Sequence, residues 1–317
     1  MAQREGRSRV EGHPPHGATA EAGGRDPIGG AFIAVASVLF GGVVILGKTL
    51  PEDLPVTSML AIRFAVAALL LALVLALRRE PLRAARGEGR RLVLLGAVGY
   101  AVEAAFFFLA LDRGTAAAVT LLFFTYPVLV TVLSAVLGMG LPGWLVGGSL
   151  LVAVTGTALV VASGGGLDIS AAGIGFALAS ALTFSFYLLG ADALVSQTSS
   201  LGSAMWVSAS AAAALAIYAV AGGAERFPEG LEEWLRVSAM GVLTAAAFVS
   251  LFLGLRRVGA VRTAIIAALE PVATSAMAVT ILGEALRPGV GIGGALILTA
   301  AVAASLARRR PRAEAIP

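Results

Sequence analysis

The chain has 317 residues, of which 58% are apolar and 13% charged, with 23 basic against 19 acidic side chains and no cysteine. Soluble domains run nearer ~45–50% apolar and ~25% charged, so this composition excludes a disordered chain, a coiled coil and an ordinary soluble enzyme. The missing cysteines also exclude a disulfide framework, a thiolate zinc site and a cysteine nucleophile, which leaves a chain that crosses a membrane many times.

Residues 1–27 are rich in Gly, Pro, Arg and Glu and carry few large apolar side chains. Such a segment buries too little surface to offset its ordering entropy, and a disordered tail is expected. It lacks the apolar core of a signal peptide. His13 and His16 flank a Pro-Pro there and make a poor metal site, so neither metal nor cofactor is expected.

A helix needs about 20 residues to cross the hydrocarbon. Ten stretches meet that length: 28–50, 55–77, 91–111, 115–138, 142–163, 171–194, 201–222, 236–256, 260–282 and 289–307. Turn chemistry separates them, as at Pro51 to Pro55, Glu80-Pro81, Gly140 to Gly143, Ser163 to Gly166 and Arg287-Pro288-Gly289. Two neighbouring pairs, 115–138 with 142–163 and 236–256 with 260–282, nearly fuse, and eight or nine helices is the rival count.

Ten spans with the first residue inside put 17 basic side chains on the inner side and 5 on the outer, with Arg63 inside a span. That asymmetry is the positive-inside pattern, and it predicts both termini in the cytoplasm, including a short tail at 308–317. The basic excess therefore reflects topology and does not point to nucleic acid. The loop 223–235 falls outside.

The chain repeats itself at an offset of 144 residues. Gly29 meets Gly173, Phe32 meets Phe176, Phe40 meets Phe184, Arg113 meets Arg257 and Pro127 meets Pro271. Five spans, an odd number, lie in each half, so residues 28–163 and 171–307 are expected to insert with opposite topology. The predicted fold is an all-α polytopic membrane protein of ten transmembrane helices in two inverted five-helix repeats. Substrates of such folds bind between the repeats near the midplane.

Ionisable side chains inside a membrane are expensive to bury and mark candidate sites. Arg63 and Glu103 sit at matching depth, so an ion pair between them is expected, either fixing helix packing or lining a polar cavity. Tyr100, Glu103 and Phe107 share one helix face. Glu270 precedes Pro271, and Tyr126 precedes Pro127, at matched places in the two halves. Each proline deletes a backbone hydrogen bond, frees the carbonyl of Ala267 or Phe123, and is expected to kink its helix. Tyr187 shares a face with Thr183. The expected cavity wall is Arg63, Tyr100, Glu103, Tyr126, Tyr187 and Glu270, suited to a small zwitterion or cation, with a proton on Glu270 as a candidate coupling ion.

Gly42 to Thr49 matches the phosphate-loop pattern, but its glycines fall inside a span-length apolar stretch where no strand and loop can form. Lys48 reads as an interfacial residue at the outer end of the first span. An intramembrane enzyme is the first rival class, and Glu103 with Asp112 or Lys48 is all it has, with no nucleophile–base pair. A channel is the second, and no ring of charges or filter motif supports it.

Leu269-Glu270-Pro271-Val272 followed by Ile281-Leu282-Gly283-Glu284, its first-half copy Tyr126-Pro127-Val128 with Leu137-Gly138, and Arg63-Phe64 together resemble the EamA-type family of the drug/metabolite transporter superfamily. The resemblance covers residues 28–307. It departs at Met139, which stands where the family often has the first of two glutamates. It implies secondary carriers in the plasma or inner membrane, often exporters of amino acids or related compounds, that work by alternating access. It leaves substrate, direction, coupling ion and oligomeric state open.

Overall fold

The computed structural model describes residues 26–47, 49–50, 54–114, 119, 122–138, 142–163, 169–195, 197–223, 226–282 and 288–306. In chain order the helices are α1 (Pro27–Gly47), α2 (Val56–Leu77), α3 (Gly89–Leu111), α4 (Tyr126–Val136), α5 (Trp144–Ser163), α6 (Ala171–Leu194), α7 (Ser200–Ala221), α8 (Gly230–Val258), α9 (Ala260–Ala267), α10 (Leu269–Leu282) and α11 (Pro288–Leu306). Among the described residues, seven helical segments are long and apolar enough to cross a bilayer. They are α1, α2, α3, α6, α7, α8 and the run Ala260–Ile281 through α9 and α10. Three shorter apolar helices, Tyr126–Val136, Trp144–Leu159 and Gly291–Ala304, occupy the remaining expected places.

Local chemistry explains the helix starts. The Asp26 carboxylate accepts a hydrogen bond from the Gly29 amide at 2.8 Å, and Pro27 takes the first helical position, where its missing N–H costs nothing. Ser170 and Ser199 cap α6 and α7, each hydroxyl accepting from the amide three residues on at 3.1 Å. Helix α8 is longer than its apolar stretch predicts. It begins at Gly230, inside the expected loop 223–235, because Glu232 and Glu233 lie in its first turn and Arg256 and Arg257 in its last. Those charges suit the helix dipole but lower the hydropathy of the ends. Inside α3, Leu95–Tyr100 form a π-helical segment; nothing in the spacing of the apolar residues predicts it.

The prolines act differently from simple mid-helix kinks. Pro127 sits in the first turn of α4, after a turn at Phe124 and Thr125. Pro271 sits in the first turn of α10, after a turn at Ala268. The discontinuity falls just upstream, so that each ring lies where a helix has no N–H to lose.

The principal packing partners are α1 with α8, α3 with α6, α2 with α7, and α5 with α11. Exchanging the two halves leaves this set unchanged: α1 on α8 becomes α6 on α3, and the other two pairs map onto themselves. The contacts obey the same exchange in detail. Arg257 stacks over Phe32 at 5.4 Å, and Arg113 over Phe176 at 5.2 Å. Those four residues are two pairs related by the 144-residue offset. Gly29 lies against the Arg257 side chain and Gly173 against Arg113, and a Cβ on either glycine would crowd its neighbour.

Bulky residues sort by environment. Phe64, Phe248, Phe252 and Leu60 fill the interior, while Leu69, Leu73, Leu77, Leu182, Phe186 and Ile217 lie exposed on the outside of the bundle. An apolar exterior wrapped round a core with polar members fits a lipid solvent.

Candidate functional site

The helices surround a narrow central cavity with a volume of about 70 Å³, room for a few water molecules. Its wall combines Ile33, Ser37, Phe40 and Val44 of α1, Arg63 of α2, Tyr100, Glu103, Phe107 and Phe108 of α3, and Phe184 of α6. Phe123, Tyr126 of α4, Leu251 of α8, Ala267 of α9 and Glu270 of α10 complete it. Both halves of the chain contribute.

Five of the six candidate wall residues, Arg63, Tyr100, Glu103, Tyr126 and Glu270, meet here. Tyr187 does not line the cavity. It is packed behind the wall, its ring 5.2 Å from Tyr100 and stacked on Phe184 at 5.8 Å. Its buried hydroxyl has no hydrogen-bond partner among the described residues.

The expected Arg63–Glu103 ion pair is not formed. The Arg63 guanidinium instead donates through Nε to Thr244 Oγ1 at 2.9 Å and rests 4.6 Å over the Phe64 ring. Glu103 accepts from the Ser180 hydroxyl at 3.2 Å. Each charge thus has a neutral hydroxyl partner from the other half of the chain, and the two remain close enough to interact electrostatically. Glu270, half-buried on the wall, makes no hydrogen bond or ion pair with any described residue. It lies within electrostatic range of both Glu103 and Arg63.

Aromatic rings support these groups. Tyr100 meets Phe248 at 4.6 Å and Phe64 at 5.6 Å, both edge-to-face. Tyr126 meets Phe184 at 4.8 Å and Phe123 at 5.1 Å, and its hydroxyl reaches the Ala264 carbonyl at 3.4 Å. The breaks before Pro127 and Pro271 place Phe123 and Ala267 on the wall beside Tyr126 and Glu270, where irregular backbone at depth is tolerated. The π-helical segment ends at Tyr100, the first α3 residue on the wall, and Gly99 in it lies against the Tyr187 ring.

Chemically, the site offers one guanidinium, two carboxylates and an aromatic lining. A ligand of matching pattern carries an ammonium for the acids, an anionic or polar group for Arg63, and apolar bulk for the rings. Ser180 and Thr244 escape sequence reasoning because they are two of many hydroxyls, 77 and 181 residues from their partners. Phe40 and Phe184 carried a signal, as offset partners that both reach the wall. The phosphate-loop pattern is helical from Gly42 to Gly47, with Gly42 against Leu243 of α8. Lys48, Met139 and Glu284 lie outside the described residues.

The description "EamA-like transporter family" matches twice, over residues 27–162 and 171–306. An uncharacterized inner membrane transporter of Salmonella typhimurium, YicL, is 28% identical over 233 residues, which is 72% of this chain and 77% of the relative. A crystal structure of a protein 20% identical in sequence superposes with a TM-score of 0.77, covering 89% of this chain and 97% of the other. At that identity the likeness speaks to fold alone.

Proposed function

Because the chain belongs to the EamA-like transporter family, we propose that it is a secondary-active carrier of small metabolites, amino acids or related amphiphilic compounds, which it exports by alternating access. The observation that carries this reading is the cavity between the halves, where Arg63, Glu103 and Glu270 bring both signs of charge to one aromatic-lined space. A carrier uses such groups to hold a polar solute while it crosses an apolar barrier.

In the same reading the chain has ten spans, the three shorter apolar helices included. The halves are inverted repeats that rock about the cavity. The exchange symmetry of the helix contacts and of the Arg257–Phe32 and Arg113–Phe176 pairs supports this arrangement. The relative's inner-membrane placement supports the same location here, and the basic side chains favour both termini in the cytoplasm. Glu270, without a partner on the wall, is the group we assign to the substrate ammonium or to a coupling proton.

The test is flux in reconstituted vesicles across a panel of amino acids and amines. Glu270→Gln should slow the transported substrate at least about tenfold, the kinetic equivalent of ~1.4 kcal/mol, and remove the response to an imposed pH gradient. Unchanged rate and unchanged gradient response would refute the assignment of Glu270.

A further inference from the structure

One end of the bundle is tied by a buried polar network that the binding cavity does not use. Glu88, the residue before α3, is 4% exposed, and its carboxylate accepts three hydrogen bonds from the loop between α6 and α7. These come from the Gln197 amide at 2.8 Å, the Thr198 amide at 2.8 Å and the Thr198 hydroxyl at 2.5 Å. Thr198 Oγ1 also accepts from the Ala85 amide at 3.0 Å. Arg256, near the end of α8, donates to the Thr198 carbonyl and, at 3.2 Å, to the Ser203 hydroxyl, and it interacts electrostatically with Glu88. One carboxylate therefore joins the starts of α3 and α7 to the end of α8.

The same end is closed by a close helix seam. Gly254 of α8 faces Ile33 of α1 so closely that a Cβ would lie 2.4 Å from its Cδ1, and Gly29 abuts Arg257 in the same way at 2.7 Å. The cavity begins at this seam, since Ile33 is also on its wall. Tyr100 on its wall is about 18 Å along α3 from Glu88, whereas Phe107 is only about 6 Å from the opposite end of that helix.

The other half supplies an internal control. The 144-residue offset carries Glu88, Thr198 and Arg256 onto Glu232, Leu54 and Asp112. There Glu232 is 77% exposed and pairs with Arg236 of its own helix. Leu54 offers no hydroxyl. The network thus exists at one end and has no equivalent at the place the repeat would put it, among the described residues.

We infer that Glu88, with Thr198 and Arg256, is a releasable latch that holds the cavity shut at this end, and that its release is the step that opens the cavity to that side. The inference rests on the carrier reading above. By the distribution of basic side chains, the latched end is the cytoplasmic one.

The protein has no cysteine, so one introduced thiol reports without background. Ala267→Cys places it on the cavity wall, and a membrane-impermeant methanethiosulfonate is applied to inside-out and right-side-out vesicles. Adding Glu88→Gln, which keeps shape but removes charge, should raise the labelling rate from the latched face about tenfold and lower it from the other, since buried hydrogen bonds to a charged group are lost. Thr198→Val should do the same more weakly, and it decides the matter alone if Glu88→Gln fails to fold. Reactivity from the far face that neither variant redistributes would overturn the latch and leave the carrier reading standing. Reactivity from neither face, before or after the substitution, would overturn both.

Discussion

Thr244→Val tests whether Arg63 is held in place by the opposite half of the chain. Thr244 is fully buried and Arg63 is 4% exposed. The threonine hydroxyl accepts from Arg63 Nε at 2.9 Å and donates to the Met240 carbonyl at 2.7 Å. Valine keeps the volume, so little cavity forms, but a buried cationic donor loses its acceptor. Hydrogen bonds to charged groups are worth about 1.5–3 kcal/mol, and the Met240 carbonyl keeps its helical bond, so the expected loss is about 2 kcal/mol. The assay is reversible denaturant unfolding of the purified protein in detergent, run as a double-mutant cycle with Arg63→Met. In the Arg63→Met background Thr244→Val should cost no more than about 0.5 kcal/mol, because nothing is left unpaired. Equal costs in the two backgrounds would refute the claim that Thr244 anchors the guanidinium.

Ser180→Ala removes the hydroxyl that donates to Glu103 at 3.2 Å. Flux measurements should show a rise in KM of about three- to tenfold, from a loss of roughly 1 kcal/mol of positioning, with Ser180→Thr restoring most of it. Gly96→Ala would set a Cβ 2.4 Å from the Val207 carbonyl oxygen and force α3 away from α7. It should destabilise the fold by about 1–3 kcal/mol in detergent unfolding, whereas Gly175→Ala, with open space around it, should be neutral.

Much of the architecture is legible in the order of residues because lipid simplifies the problem. A bilayer demands an apolar helix of set length, so composition and turn residues place nearly every helix within a few positions. The exceptions follow from the same rule: α8 hides its first turn because Glu232 and Glu233 favour the helix dipole while opposing hydropathy. The 144-residue offset is legible for another reason. Gly29, Phe32, Arg113 and their copies are constrained by contact with one another, as the two stacked Arg–Phe pairs demonstrate.

Composition and periodicity alone therefore determined that this chain is a helical membrane protein built from two similar halves. They also brought Arg63, Tyr100, Glu103, Tyr126 and Glu270 under consideration, because charge and proline are rare in such surroundings. Which neighbour each one takes was decided by tertiary structure only. Arg63 chose Thr244 and Glu103 chose Ser180 over each other, Tyr187 fell behind the wall, and Glu88 found its three donors more than 100 residues away. A hydrogen bond is a matter of ångströms and angles between side chains, and those are set by how helices pack, which no count along the chain contains.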